Sequence, residues 1–417
     1  MTRPDASLVL RAPMLIDGLG GPPLTAGLVA VAGRHIAYAG RADQAPPFPN
    51  ARVLDLPRAC LLPGLIDIHV HATYYWTEPD AGAYTYENEG QIVYSPALIA
   101  LLAAGRLRQA LEAGITTVRD AGAVAGIMRE VQHAIARGLI PGPKVYMAGR
   151  MIIATGGHLH QLPGLTNEAS GPHDFRRAVR EEIRAGADYI KLANDGTDMS
   201  QEELDAAVDE AHRQGKKVAC HTAEPPSWQM AITAGVDTLE HGTPTEREID
   251  EALARGITWV PTLNISEAYA QWCDRRRQDP DPRIARQAAA QYAEAQVHLE
   301  RAQTAMAYAV KAGLRIAAGT DSWLGGVRFA ALADEIRQLG EYGCPPMQAL
   351  QAATSVPARA MGQADIGALE TGRLADIIAV AGDPLSDLGA LERVRLVVRE
   401  GEVVQAPSIL TMPAWTE

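Results

Sequence analysis

Phenylalanine is nearly missing from this chain, with 3 in 417 residues, and aromatic residues together reach only 5%. Its core must therefore be mostly aliphatic. Cysteine is scarce as well: Cys60, Cys220, Cys273 and Cys344 are scattered with no CxxC spacing. That leaves neither a disulfide framework nor a sulfur zinc site, and it fits a reducing compartment in which the four act as small buried hydrophobes. No stretch reaches about 18 uncharged apolar residues. The start, MTRPDASLVLRAPMLIDGLGG, has no apolar run behind a basic segment, so a soluble, cytoplasmic protein without a membrane partner is expected. Positive charge is also short, 38 basic against 50 acidic residues for a net −12, which argues against a nucleic-acid partner and gives solubility rather than specificity.

What is present is 47% hydrophobic and 21% charged, the proportions of a globular protein. Thirty-eight glycines and 27 prolines require frequent turns and many short elements. At about 150 residues per domain the length suggests two or three domains, unless one is a barrel of about 250 residues.

Both ends read as β. SLVLRAPMLI, GLVAVAGRHIAYAG and ARVLDLP near the start, and ADIIAVAGDP and VRLVVREGEVV near the finish, alternate at the strand period. The segments 1–60 and 365–417 are expected to pair into one small β-sandwich domain. Between them, over 61–364, eight apolar runs are each followed by a longer helical stretch. They are GLIDIHVH (64–71), ITTVRDAG (115–122), KVYMAG (144–149), ADYIKLAN (187–194), KVACHT (217–222), VDTLEHG (236–242), ITWVPTL (257–263) and LRIAAGTD (314–321). The fold class is α/β, and eight repeats are the number that closes a (β/α)8 TIM-like barrel. A doubly wound open sheet is the alternative, but no GxGxxG follows the first strand. SQEELDAAVDEAHRQG (200–215) predicts a helix capped by Ser200 and ended by Gly215. The stretch from Ile265 to Lys311 exceeds one helix and predicts an insertion over the barrel mouth.

Working groups of such a barrel sit at the C-terminal strand ends. The runs end in His69 and His71, Lys191, His221, His241 and Asp321. Alternate residues of a strand face one way, so His69 and His71 can share a cation. An isolated HxH is often accidental, but three further ligands, His221, His241 and Asp321, at matching ends point to a metal site. Nitrogen and carboxylate ligands favour Zn²⁺, with Mn²⁺, Co²⁺ or Fe²⁺ as alternatives. An ammonium on Lys191 among cations would be repelled and costly to desolvate. Its neutral amine could instead take up CO₂ as a carbamate bridging two metals; the other reading is a lysine that snorkels outward.

These residues carry a resemblance. PGLIDIHVH, TTVRD, YIKL, CHT, EHG and AGTD, in that order, with GRLADIIAVAGDPL near the end, resemble the amidohydrolase superfamily of metal-dependent hydrolases across nearly the whole chain. The branch it resembles most holds Xaa-Pro dipeptidases, Xaa-Arg/Lys carboxypeptidases and ochratoxin-hydrolysing amidases. The resemblance implies that His69, His71 and Asp321 bind one metal, that His221 and His241 bind the other, and that carbamylated Lys191 bridges them. It also implies a homo-oligomer, a dimer or an octamer.

Two cations about 3.5–4 Å apart acidify a shared water and polarise an amide carbonyl. Asp321 beside that water can serve as general acid/base, taking its proton and passing it to the leaving nitrogen. The expected substrate is an amide such as a dipeptide or N-acyl amino acid. The histidines of GGHLH (156–160) follow the third strand; the resemblance assigns substrate contact to His158, with His160 the second candidate. Arg150 could bind a carboxylate or sit in a surface ion pair. The segment 74–90 could be an aromatic wall or lid, or an ordinary packed loop. Asn194-Asp195-Gly196-Thr197 departs from the Gly/Ser-rich loop expected after the lysine.

A rival is a mononuclear aminohydrolase or cyclic amide hydrolase acting on a heterocycle, because His221-Thr-Ala-Glu224 has the HxxE spacing of a proton shuttle. Lys191 argues for amide hydrolysis instead. A non-catalytic assembly protein is disfavoured by the complete ligand set, and a structural zinc by the absence of local sulfur ligands.

Overall fold

The computed structural model describes residues 6–74, 95–162, 164–196, 198–223, 225–322 and 329–404. Apolar residues of the first segment build β1 (Leu8–Leu15), β2 (Leu24–Ala32), β3 (His35–Arg41), β4 (Arg52–Asp55) and β5 (Ala59–Pro63). β2 lies antiparallel to β1 and β3, while β4 and β5 run parallel to β1.

The chain then alternates. In order come β6 (Leu65–Val70), α1 (Pro96–Glu112), β7 (Ile115–Asp120), α2 (Ile127–Ala136), β8 (Lys144–Met147), β9 (Met151–Ala154), β10 (Thr166–Ala169) and α3 (Pro172–Ala185). Next are β11 (Ile190–Ala193), α4 (Gln201–Arg213), β12 (Val218–His221), α5 (Ser227–Ala234), β13 (Thr238–Glu240), α6 (Glu246–Arg255) and β14 (Thr258–Val260). α7 (Leu263–Arg276), α8 (Pro282–Ala312), β15 (Arg315–Ile316), α9 (Leu332–Glu341), α10 (Pro346–Ala352) and α11 (Ser355–Ala360) follow. Each of the eight expected runs contains a strand. Neighbours are parallel throughout, as helical crossovers require.

Among the described residues the parallel strands form two ladders, β6-β7-β8 and β10-β9-β11-β12-β13-β14-β15. At the break a turn coincides with a contact from α3. After Met147 the chain turns through Gly149 at φ +76°, and Glu182 of α3 accepts a hydrogen bond from Arg150 N at 3.0 Å. β9 restarts the run and pairs with β11 through Ile152 and Leu192. β10, within a stretch not expected to be extended, adds to β9 in parallel. At the other end Val70 bridges to Ser322, and Ile68 N donates to Ala318 O at 3.2 Å.

The helices obey their sequences. In α4, Ser200 and Glu203 form a reciprocal capping box, and Leu204, Ala207, Val208 and Ala211 bury one stripe. Gly215 follows at φ +70°, ending that helix as expected. The long segment starting at Ile265 resolves into two helices, α7 and the 31-residue α8, the latter capped by Asp281 and ended by Gly313 at φ +81°.

Last come β16 (Ile377–Ala381), β17 (Val394–Arg399) and β18 (Glu402–Val404). β16 lies antiparallel to β5, so both chain ends share one sheet of order β18-β17-β16-β5-β1-β2-β3, with β4 on β1. All four cysteines are free and buried. Among the described residues no helix is long and apolar enough to cross a membrane.

Candidate metal centre

β6 delivers Asp67 and His69 on one face, with His71 just beyond its end. Asp67 was not singled out in the sequence, yet it fastens the strand. Its Oδ1 accepts from Thr320 N at 3.1 Å and its Oδ2 from Thr320 Oγ1 at 2.7 Å, while burial pushes its carboxyl up to about 6. Asp321 N in turn donates to His69 O at 2.8 Å. Gly319 is required here, because a Cβ on it would lie 2.7 Å from His69 Cβ. The expected ligands of β6 and of the chain after β15 are thereby brought together.

Five imidazoles follow one another. Ring centroids are 5.1 Å apart for His71 and His69, 4.8 Å for His69 and His241, 4.6 Å for His241 and His221, and 4.1 Å for His221 and His158. Asp321 Oδ1 lies 3.2 Å from His71 Nε2 and 3.5 Å from His69 Nε2. Ligand atoms of His69, His241 and Asp321 fall within 4.8 Å of one another, and so do those of His158, Asp195 and His221. His241 at φ +67° and Asp321 at φ +50° are held in left-handed backbone that non-glycine residues seldom adopt, as is Thr262 at φ +50°.

Hydrogen bonds fix the ring tautomers. His71 Nδ1 faces the Gly122 carbonyl at 3.1 Å, which can only accept, so His71 Nε2 carries the lone pair. Thr262 Oγ1 donates to Pro261 O and lies 2.7 Å from His241 Nδ1, so that nitrogen is the donor and His241 Nε2 is free of its proton. Burial, the largest cause, pushes His71 down to about 4 and His221 to about 3, and lowers His69 and His241 too. Neutral rings are what cation binding needs. Burial opposes the Asp321 charge, but His69 and His71 outweigh it and hold the carboxyl well below its usual range.

Lys191 on β11 is 1% exposed, so it does not snorkel outward. Burial lowers its amine from 10.5 to about 7. Its Nζ meets Glu240 Oε2, whose other oxygen accepts from Arg119 Nη2 at 2.6 Å. Arg119 also donates to Ile68 O at 2.7 Å and lies over the Tyr189 ring. Arg119 and Glu240 lie within TTVRD and EHG, where sequence alone assigns them no role. Glu335 of α9 is another buried carboxyl. It accepts from Leu263 N and Asn264 N at the start of α7, and burial pushes it up to about 8.

His158 is placed beside His221, whereas His160 turns its Nδ1 to Gly157 O at 3.0 Å. Arg150 is engaged by Glu182 through Nε at 2.9 Å and Nη2 at 2.8 Å. Asp195, within the loop that departs from expectation, touches both His158 and His221. Burial works against its ionised form, but those two imidazoles hold it far below the usual carboxylate range. Glu224 and residues 75–90 lie outside the described residues.

The donor set fits divalent metal. It offers neutral imidazole nitrogens and an ionised carboxylate, and both His69 Nδ1 and Asp321 Oδ1 are buried without a hydrogen-bond partner among the described residues. The Amidohydrolase family model matches residues 60–404. The chain belongs to the amidohydrolase family. As an amidohydrolase it is a hydrolase acting on carbon–nitrogen bonds, and the family generally uses divalent metals. Ochratoxinase of Aspergillus niger is 31% identical over 441 residues, covering 96% of this chain and 87% of its own. The solved structure of a Xaa-Pro dipeptidase with methionine bound in its active site is similar at TM-score 0.82 and 27% identity, over 96% of this chain and all of that one. The Aspergillus niger ochratoxinase structure matches at TM-score 0.83 and 27% identity, over 97% of each chain.

Proposed function

We propose that this amidohydrolase is a binuclear enzyme that cleaves the amide bond of a dipeptide or N-acyl amino acid. The observation that carries the reading is Lys191, a lysine buried at 1% exposure whose amine meets the Glu240 oxygen that lies 3.3 Å from His69 Nδ1. A mononuclear deaminase has no use for it. Its relatives include an ochratoxinase and a Xaa-Pro dipeptidase, which supports an amino-acid amide as substrate.

His69, His71 and Asp321 would hold one ion and His221 and His241 the other, zinc being the metal the donors favour. The neutral Lys191 amine would add to CO₂ and lose one proton, and the resulting anionic carbamate would join these residues as a ligand. Two bound ions supply an acidified water and an electrophile for the substrate carbonyl. Asp321 takes the proton of the attacking water and returns it to the departing nitrogen. His158 contacts the substrate, with His160 and Arg150 as weaker candidates because their polar atoms are engaged by Gly157 and Glu182.

The eight expected runs belong to one closed barrel that joins the two parallel ladders, a reading supported by the links from Val70 to Ser322 and from Asp188 N to Met147 O. The segments 1–60 and 365–417 make its β-sandwich companion. The enzyme acts in the cytoplasm on small molecules and assembles with copies of itself.

The test is elemental mass spectrometry of protein grown with zinc and bicarbonate, followed by a panel of Xaa-Pro, Xaa-Phe, Xaa-Arg and N-acyl amino acids with lactone and purine controls. Two metals per chain and release of an amino acid are expected. One metal per chain and ammonia from a heterocycle would overturn the proposal.

A further inference from the structure

Asp195 stands two residues beyond β11, at the foot of the loop that follows the Lys191 strand, and its neighbour is pinned by a hydrogen bond from Asn194 N to His221 O at 3.2 Å. Its two carboxylate oxygens have different partners. Oδ1 lies 2.9 Å from His221 Nε2, and Oδ2 lies 2.8 Å from His158 Nδ1. An ionised carboxylate only accepts, so both imidazoles must donate to it. His221 therefore keeps its proton on Nε2 and presents Nδ1 as its lone-pair nitrogen. His158 keeps its proton on Nδ1 and presents Nε2. The rings are drawn together with centroids 4.1 Å apart and planes tilted by 33°.

A metal-binding histidine commonly directs its other nitrogen at a carboxylate or carbonyl, which sets the tautomer and the angle of the ring. The Gly122 carbonyl serves His71 in this way, and the Thr262 hydroxyl serves His241. Asp195 does the same for His221 and holds a second imidazole besides. Its remaining oxygen holds the histidine read as the substrate contact.

We propose that Asp195 is a positioning residue that couples the metal ligand His221 to the substrate contact His158. The inference rests on the binuclear reading above. If one carboxylate orients both rings, a change at either is felt at the other, and the coupling is reciprocal. Removing Asp195 frees the His221 ring to rotate off its ligand geometry and lets His158 leave the substrate.

The experiment compares zinc-loaded wild type with Asp195→Ala, Asp195→Asn, His158→Asn and the Asp195→Ala/His158→Asn double variant. The first readout is the rate of zinc release to a chromophoric chelator without substrate. The second is KM and kcat for an amide substrate in saturating zinc. Asp195→Ala is expected to release one zinc about 10–100-fold faster than wild type. His158→Asn, which takes away one of the two rings that anchor Asp195, is expected to release zinc faster than wild type but more slowly than Asp195→Ala. Both single variants raise KM, and the double variant raises it no further than the worse single, the non-additivity expected of residues that act through one another. Release at the wild-type rate from Asp195→Ala, or KM effects that multiply, would overturn the coupling. If Asp195→Ala does not fold, Asp195→Asn carries the same readouts, because the NH₂ that replaces one oxygen cannot accept from the ring facing it. The binuclear reading fails separately, when wild type itself holds fewer than two ions.

Discussion

The guanidinium of Arg119 meets the carboxylate of Glu240 at 2.6 Å, with side-chain exposures of 3% and 0%. Glu240 also touches the Lys191 amine and lies 3.3 Å from His69 Nδ1. This pair forms a charged floor beneath the ligands. Removing one partner leaves the other buried and uncompensated, which costs about 3–5 kcal/mol. Arg119→Met is therefore expected to lower the chemical-denaturation midpoint of the metal-free protein, and Arg119→Met/Glu240→Leu to recover part of the loss. An Arg119→Met variant as stable as wild type would show that the pair contributes no net stability.

Lys191→Ala removes the amine that takes up CO₂. Native mass spectrometry of the wild type should show the added mass of one CO₂, lost on acidification, and the alanine variant should lack it. Zinc content should fall below two ions per chain, and activity by two or more orders of magnitude, as is typical when a catalytic positioning group is lost. Short carboxylic acids added to the variant should restore part of both. Full zinc occupancy without rescue would remove the lysine from the metal site.

Asp321→Asn keeps the shape of the side chain but loses its charge and its basicity. Turnover should drop by about 10²–10⁴-fold, the usual worth of a general acid/base. Thr262→Val is the informative contrast, because it removes the acceptor for His241 Nδ1, with the bond to Pro261 O, and leaves every expected ligand in place. Zinc affinity should weaken by about 10–100-fold while kcat at saturating zinc stays near wild type. Chelator competition and steady-state kinetics separate the two outcomes.

Glu335 predicts a pH dependence. Its carboxyl, ordinarily near 4.5, is raised to about 8 by burial, so the native state holds a proton that the unfolded chain has released across that interval. More protons on the native state mean that stability falls as pH rises, by up to about 1.4 kcal/mol per unit. In the metal-free protein, Glu335→Gln should be the less stable form near pH 5, since one backbone N–H loses its acceptor. That deficit should shrink steadily toward pH 8. Parallel denaturation curves at both pH values would refute the assignment.

All eight expected runs were legible because each is a short apolar segment, most of them closed by a polar residue or followed by a helical stretch. The terminal strands were legible from alternation alone. β9 and β10 were not, since the turn after β8 coincides with the approach of Glu182 to Arg150 N, a contact between distant parts of the chain. His69, His71, Lys191, His221, His241 and Asp321 stood out because such residues are rare in buried strands. Arg119 and Glu240 occupy equally buried positions, but a charge inside a strand gains meaning only from its partner, here 121 positions away. Asp195 was visible as a departure in its loop, and its two imidazole partners were not.

β5, laid down early in the chain, is flanked by β1 and by β16, whose first residue is more than 300 positions further on. A ribosome releasing this polypeptide therefore exports an open-edged sheet whose Leu61 and Leu62 backbone must wait for Ala379 and Ile378 to arrive. Completion of that sheet is an event of late synthesis. The nascent chain carries an unpaired strand edge, the kind of surface that recruits chaperones and foreign strands, for most of its time in the tunnel's vicinity.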